Sequence, residues 1–198
     1  MSYSKNIFFP IILLLITITS YSQNNQEYFF DNVGWTITLP QDFALYDFID
    51  ESRSMQQASG MDDEYDAAPD MFASQTMMLA IKDRFNYFNI TITPFDAEED
   101  GSWEAAMQSW KHQAYKNMAK IIESEKLDTA SSVEYIDGIA FAKFHIAVRV
   151  DENMRFDMFL LSRWHNGFDF CITYLNMDEE ARKQIEMMLH GSRFNKMH

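Results

Sequence analysis

One cysteine, five histidines and a surplus of carboxylates are the groups in this 198-residue chain that could do chemistry. Cys171 is the obvious nucleophile to consider. It sits between Phe170 and Ile172 in an apolar run, with no helix N-terminus or adjacent base to lower its pKa. That context favours a buried structural thiol. His145 or His165 would reach it only through the cross-strand register. His112, His145, His165, His190 and His198 contain no HExxH, no HxH and no paired Cys spacing, so no metal site is read from them.

The acidic and methionine residues carry two further chemistries. Asp62-x-Glu64-x-Asp66 opens like a calcium loop, but Ala67 stands where Gly is needed and Ala73 where a bidentate Glu belongs. An EF-hand is excluded; weak calcium binding by clustered acids and a plain solvated acidic loop both stay open. Thirteen methionines follow Met1, which raises copper(I) binding. Met107, Met118, Met158 and Met188 fall on apolar faces and read as core filler. Asp96 to Asp100 precedes a helix start, where negative charge is favourable. Paired carboxylates for hydrolysis are not singled out by any G-x-S-x-G, S-x-x-K or Gly-rich phosphate loop. Lys111, His112, Lys116 and Lys120 are the main basic concentration, readable as an anion-attracting stripe or as a solvated helix face.

These groups must be positioned by the elements around them. Residues 1–22 read as a cleaved signal peptide: Lys5, an apolar run Ile7 to Ile18, then Ser20-Tyr21-Ser22 with cleavage before Gln23. Twelve apolar residues fall short of the ~20 that a membrane span needs. The expectation is an exported protein, periplasmic or extracellular, with no stable membrane insertion after cleavage. Removing Lys5 takes the formal charge from −14 to −15 on 176 residues, a single domain at 23–198. Such a surface repels phosphate backbones, so nucleic-acid binding is excluded. With Cys171 alone, no internal disulfide forms and the core must supply the stability.

Trp35, Ile37 and Leu39 alternate with Thr36 and Thr38 before Pro40 stops the strand. Gln75–Lys82 and Tyr87–Thr93 read as strands across a turn at Asp83-Arg84. Ile139–Val150 places Ala142, Phe144, Ile146 and Val148 on one face, with Lys143, His145 and Arg149 on the other. Met154–Trp164 and Phe168–Leu175 follow, and Asp137-Gly138 and Asn166-Gly167 are hairpin turn pairs. Ser102–Glu123 is helical, with Trp103, Met107, Trp110, Ala114, Met118 and Ile121 in one stripe and Asp100 or Ser102 as cap. Asp178–His190 is a second helix, with Ala181, Ile185 and Met188 inward and Gly191 as its C′ residue. Asp47–Ser74 is irregular, acidic and methionine-bearing, with a short helix over Ile49–Ala58.

The order of these elements has a precedent. Gly34-Trp35-Thr36-Ile37-Thr38-Leu39-Pro40-Gln41-Asp42-Phe43 resembles the opening strand and Pro-x-x-aromatic turn of the PsbP/Mog1/DcrB-like superfamily. A hairpin ending in Asn89-Ile90-Thr91-Ile92-Thr93-Pro94, a Trp-bearing helix from Ser102 and Val133-Glu134-Tyr135-Ile136-Asp137-Gly138-Ile139-Ala140 continue the likeness. Gly191-Ser192-Arg193-Phe194 is similar to the closing signature. The resemblance implies an α+β fold: an antiparallel sheet of about six to seven strands between helices, an α/β/α sandwich. Members serve as photosystem subunits, partners of a nuclear-transport GTPase or bacterial envelope proteins, so the resemblance implies binding without catalysis.

The reading that follows is a non-catalytic exported envelope module, a protein-interaction or assembly factor with no cofactor. Met55, Met61, Asp62, Asp63, Glu64, Asp66 and Met71 form its candidate contact segment. A small-molecule or calcium/copper-binding protein is the alternative, and an uncharacterised hydrolase ranks third.

Overall fold

Strand-forming runs closed by two-residue turns build an antiparallel sheet before any helix packs on it. The computed structural model describes residues 26–46, 76–120, 122–152 and 154–195. The leader, the 47–74 segment with its expected short helix, Ile121 and His198 lie outside these residues.

Ten strands and two helices are described. They are β1 (Gln26–Phe30), β2 (Trp35–Leu39), β3 (Ala44–Leu45), β4 (Thr76–Asp83), β5 (Asn86–Pro94) and α1 (Trp103–Ala119). After them come β6 (Leu127–Ile136), β7 (Ile139–Arg149), β8 (Arg155–His165), β9 (Phe168–Asn176), α2 (Glu179–Gly191) and β10 (Arg193–Phe194). Seven strands form one antiparallel sheet in the order β3-β4-β5-β9-β8-β7-β6, and β1-β2-β10 form a second, smaller one. The α+β class with helices on both sides of a seven-stranded sheet is what the sequence leads one to expect. The small sheet is an addition to that picture.

Turn chemistry sets the register. Asp137-Gly138 (φ 48° and 78°) and Asn166-Gly167 (φ 55° and 81°) hold both central residues left-handed, the geometry that matches strand twist. At the β4–β5 turn the corner is Arg84-Phe85, one residue later than the sequence suggests. There Asp83 Oδ1 accepts the Phe85 N–H at 2.8 Å and the Asn86 side chain at 3.0 Å, so Asp83 stays in the strand.

One face of the large sheet carries Met78, Ala80, Phe88, Ile90, Ile92, Phe159, Leu161, Phe170, Ile172 and Tyr174 into the main core. The small sheet's Trp35, Ile37 and Leu39 close over it, as do Ala181, Ile185, Met188 and Leu189 of α2. The opposite face carries Leu127, Phe144, Ile146, Val148 and Leu160, covered by Trp110, Ala114, Tyr115 and Met118 of α1. Strand β7 serves both layers: Phe144, Ile146 and Val148 face α1, while Phe141 is buried on the side where Lys143 and His145 lie.

Both helices are capped by side chains. Ser102 Oγ accepts the Ala105 N–H at 3.2 Å, and Asp178 Oδ1 accepts the Glu180 N–H at 3.0 Å. Helix α1 ends at Ala119, earlier than its apolar stripe suggests, and Ser124–Lys126 forms a short 3-10 turn before β6. Gly191 is the last residue of α2 rather than a left-handed cap, and its φ is not positive. Ser192 ends that helix instead, its hydroxyl donating to the Leu189 carbonyl at 2.6 Å and accepting Trp35 Nε1–H at 2.9 Å.

Trp35 is fully buried and stacks between Phe30 (5.7 Å) and Phe194 (6.0 Å), with Phe170 edge-on at 5.1 Å. Trp35→Ala is expected to cost ~3–5 kcal/mol. Ser192→Ala, which strands the indole N–H, should cost ~1–3 kcal/mol. The double variant should lose less than the two together, because both remove one shared bond. Urea unfolding followed by far-UV circular dichroism measures all three; additive losses would show that the bond contributes nothing.

Candidate functional site

Pleat parity decides which side chains can meet. Cys171 lies opposite Ser162 on β8 and Thr91 on β5, on the face that α1 covers. His145 lies opposite Phe159 and His165 opposite Phe168; Phe159 belongs to the main core on the other face. Neither histidine therefore reaches the thiol. Cys171 Sγ lies 3.5 Å from both Ser162 Oγ and Asp169 Oδ1, and Ser162 donates to Asp169 at 3.1 Å. Burial pushes the thiol pKa far up, and the Asp169 charge pushes it further. This thiol stays protonated and unreactive. Asp169 instead anchors α1, accepting Trp103 Nε1–H at 3.0 Å.

On the main-core face, a row of rings crosses three strands: His145 stacks on Phe159 at 4.4 Å, and Phe159 on Tyr174 at 4.7 Å. His145 Nε2 and Arg155 both contact Asp157 Oδ1, at 2.6 and 2.9 Å. Burial raises the Asp157 pKa, but the bonds and charges of Arg155 and His145 outweigh it and hold the carboxyl below its usual range. Glu134 joins Lys143 at 2.9 Å to His190 at 3.3 Å, and Lys143 Nζ lies 4.9 Å from the Phe159 ring centre. These groups neutralise one another across strands. The residues directly opposite the His145–Asp157 pair, Ala130, Phe159, Ala147 and Asn176, carry no hydroxyl or thiol. Among the described residues, no three His, Cys, Asp or Glu side chains converge as a metal-sized site.

His165 has a different environment. Burial lowers its pKa, and the neighbouring Arg163 charge adds to this; a hydrogen bond with the Val33 backbone works the other way. The unfolded chain then binds a proton more readily than the folded one. The stabilisation from neutral His165 is fully present above about pH 6.5 and is lost as pH falls through the lowered folded value. Urea midpoints at about pH 7 and about pH 5 should fall further for the native chain than for His165→Gln. Equal slopes would contradict the assignment.

An open groove lies on the α1 side. Gln108, Lys111, His112 and Tyr115 of α1, Thr129 and Ser131 of β6, and Phe144 of β7 line this groove of about 360 Å³. Lys111 Nζ lies 5.7 Å from the centre of the Phe144 ring at its floor. His112, Lys116 and Lys120 follow one another at four-residue spacing along the helix. Among the described residues, none of these three lysines pairs with a carboxylate. Lys120 reaches only Asn117, at 3.4 Å.

Parity in β6 explains why the groove holds no acid. Leu127 belongs to the layer under α1 and Ile136 to the main core, so odd positions face α1 and even positions face away. Both β6 carboxylates are at even positions, where Asp128 meets Arg149 at 3.7 Å and Glu134 meets Lys143. The groove is therefore cationic on a chain of net charge −14.

Sequence reasoning finds the basic run Lys111–Lys120 but not the groove, because Leu127–Tyr135 has no apolar pattern to mark it as a strand beside α1. The candidate contacts Met55, Met61, Asp62, Asp63, Glu64, Asp66 and Met71 all lie outside the described residues. The Asp96–Asp100 acids satisfy their own loop: Asp96 Oδ1 accepts Glu98 N–H at 2.8 Å, and Asp100 Oδ2 accepts Asp96 N–H at 2.9 Å. Met188 is buried in the main core, and Met118 of α1 and Met158 of β8 pack against the second one.

No family model and no curated protein matches the chain. Among solved structures, it is similar to the solution structure of cyanobacterial PsbP (CyanoP) from Synechocystis sp. PCC 6803. That likeness has 9% identity over 86% of this chain and 92% of the other, at a TM-score of 0.47. It is also similar to a crystal structure from Bacteroides thetaiotaomicron VPI-5482, with 12% identity over 87% of this chain and a TM-score of 0.45. The chain spans about half of that protein, 49% of its length. The first likeness is of the kind that the sequence motifs resemble. Both are distant likenesses of fold, and neither says what this chain binds.

Proposed function

We propose that this protein is a non-catalytic, exported binding module that holds a protein partner in the groove between α1 and β6. One observation supports this above the others: Lys111, which pairs with no carboxylate among the described residues, lies with His112 along a strand edge whose own carboxylates point away. Unneutralised lysines beside an open surface favour an acidic partner, both by steering its approach and by contact. No step of covalent chemistry is needed, because the buried thiol and the paired histidines have no activated nucleophile among them. Export rests on the Lys5–Ser22 leader. Among the described residues, no helix is long and apolar enough to cross a membrane. The 47–74 stretch is a second proposed contact, supported by its acidic and methionine composition alone.

Site-specific photo-crosslinking tests the assignment. A benzophenone side chain at Ser131 should give a discrete partner adduct in envelope extract, and one at exposed Met187 on α2 should not. Lys111→Glu with Lys116→Glu should cut the adduct about tenfold, ~1.4 kcal/mol in binding. Deleting 47–74 should leave it. No adduct at 131, or an equal one at 187, would remove the groove from consideration.

A small-molecule reading has one observation in its favour. Asn176 is buried opposite Asp157, and among the described residues neither its amide nor Arg182 Nε has a hydrogen-bond partner. Orphaned buried polar groups are uncommon and suit a small polar ligand. A thermal-shift screen of calcium, copper(I), zinc and small amides or carboxylates should then show a rise that Asn176→Leu abolishes. No rise with any of them rejects this alternative.

A further inference from the structure

Strand β6 is an edge of the seven-stranded sheet, ten residues long and paired with β7 one to one without a bulge. It contains no proline, lysine or bulge to blunt that edge, and its only charged residues are Asp128 and Glu134. Residues 128–133 are all exposed, and Val133 and Tyr135 are 57% and 63% exposed.

The direction of its free hydrogen-bonding groups follows from the turn. Asp137-Gly138 forms a two-residue hairpin loop, so the flanking pair Ile136 and Ile139 exchange both backbone bonds. Counting back by two, Glu134, Ser132, Ala130 and Asp128 also spend their backbone groups on β7. Thr129, Ser131, Val133 and Tyr135 therefore direct N–H and C=O outward, while the Leu127 N–H is spent on the Ser124 carbonyl. These are the same odd positions whose side chains face α1. Thr129 and Ser131 line the cationic groove, so the free backbone and Lys111 serve one surface.

We infer that β6 captures an extended segment of a partner protein by strand addition, and that this segment carries acidic side chains at alternate positions. A strand added at β6 lies about 4.8 Å outside it. Its residues opposite Thr129, Ser131 and Val133 place their side chains on the α1 face. Carboxylates there come within reach of Lys111 and His112, while β6's own acids lie on the other face. Main-chain bonds then supply affinity, and the alternate acids supply selectivity.

The same geometry disfavours a second copy of this chain as the occupant. A two-fold pairing through Ser131 sets Asp128 opposite the partner copy's Glu134. Any two-fold edge pairing also brings a second identical set of α1 lysines to the same face, with another −14 of net charge.

This inference rests on the groove being the partner surface. Its probe is a fluorescent eight-residue peptide alternating Thr and Glu, titrated against the full chain by anisotropy. The peptide should bind and weaken with added salt, and its Lys-for-Glu counterpart should bind at least tenfold more weakly. Lys111→Glu should weaken the acidic peptide about tenfold. Ser131→Pro removes an outward N–H that β7 does not use, a position where an edge strand tolerates proline. It should reduce binding at least tenfold, with far-UV circular dichroism unchanged.

Backbone methylation of the peptide keeps the test open should that variant misfold. N-methylation at one alternate set of residues should abolish binding while methylation at the other set leaves it. The Glu set is the sensitive one for antiparallel addition and the Thr set for parallel addition. Equal response to both sets, equal binding of the Lys peptide, or no binding at all would overturn strand addition. So would a concentration-dependent dimer in sedimentation that Ser131→Pro abolishes, which would assign the edge to a second copy. A crosslink at position 131 without peptide binding would refute the strand mode while leaving the groove as the partner surface.

Discussion

The seven-stranded sheet has two faces to bury, and only one receives a second layer across most of its width. On that face the small sheet and α2 close a continuous core in which Trp35, Phe141, Phe170, Ile172 and Ile185 are fully buried. Burial of that kind contributes roughly 25 cal/mol per Å² of apolar surface, and it dominates the stability of a chain with one cysteine. On the other face, among the described residues, α1 lies across Leu127, Phe144, Ile146 and Val148, and no residue of α1 is fully buried. Much of what the molecule can offer a partner follows from this imbalance. A helix held by half-buried side chains, an N-cap and one indole–carboxylate bond leaves an open flank, whereas α2 is sunk into the core.

The strict pleat of β6 and β7 converts that imbalance into chemistry. One two-residue turn fixes the pairing of ten residues, and with it the direction of every backbone group and side chain in β6. A one-residue slip would turn Asp128 and Glu134 into the groove and Thr129 and Ser131 out of it. It would also place Leu127 and Ile136 on the wrong cores, so the hydrophobic ends of the strand hold its polar middle in register. The polar middle therefore needs no hydrophobic pattern of its own.

That division explains what was legible in the sequence. Trp35–Leu39, the β4–β5 and β8–β9 hairpins and the Asp137-Gly138 and Asn166-Gly167 turns all announce themselves by alternation or by residues that accept positive φ. The two helices do so by apolar spacing and caps. Strand β1 and most of β6 do not, because Gln26–Phe29 and Asp128–Tyr135 are largely exposed and obey no period. The second sheet was hidden for another reason: β10 is two residues long and pairs with β2, more than 150 residues away in sequence. Its anchor, the Trp35–Ser192 bond, joins residues that no local pattern connects. The candidate chemistry was legible in its absences. Cys171 reads as a core thiol from its neighbours, and its surroundings hold it protonated. The basic run on α1 was visible too, but its lack of carboxylate partners is a property of pleat parity and helix placement, which only three dimensions display.

The groove's charge must also be weighed against that of the whole chain. At physiological ionic strength charges are screened over about 8 Å, so distant carboxylates contribute little to the potential at Lys111. An acidic segment approaching the far surface meets repulsion; one arriving at β6 meets Lys111 and His112 in a groove that, among the described residues, no carboxylate lines. Net charge and local charge thus act at different stages. The acidic exterior discourages like-charged chains from settling elsewhere. The sorted edge of β6 then turns the same acidity in a partner from a penalty into the feature by which it is recognised.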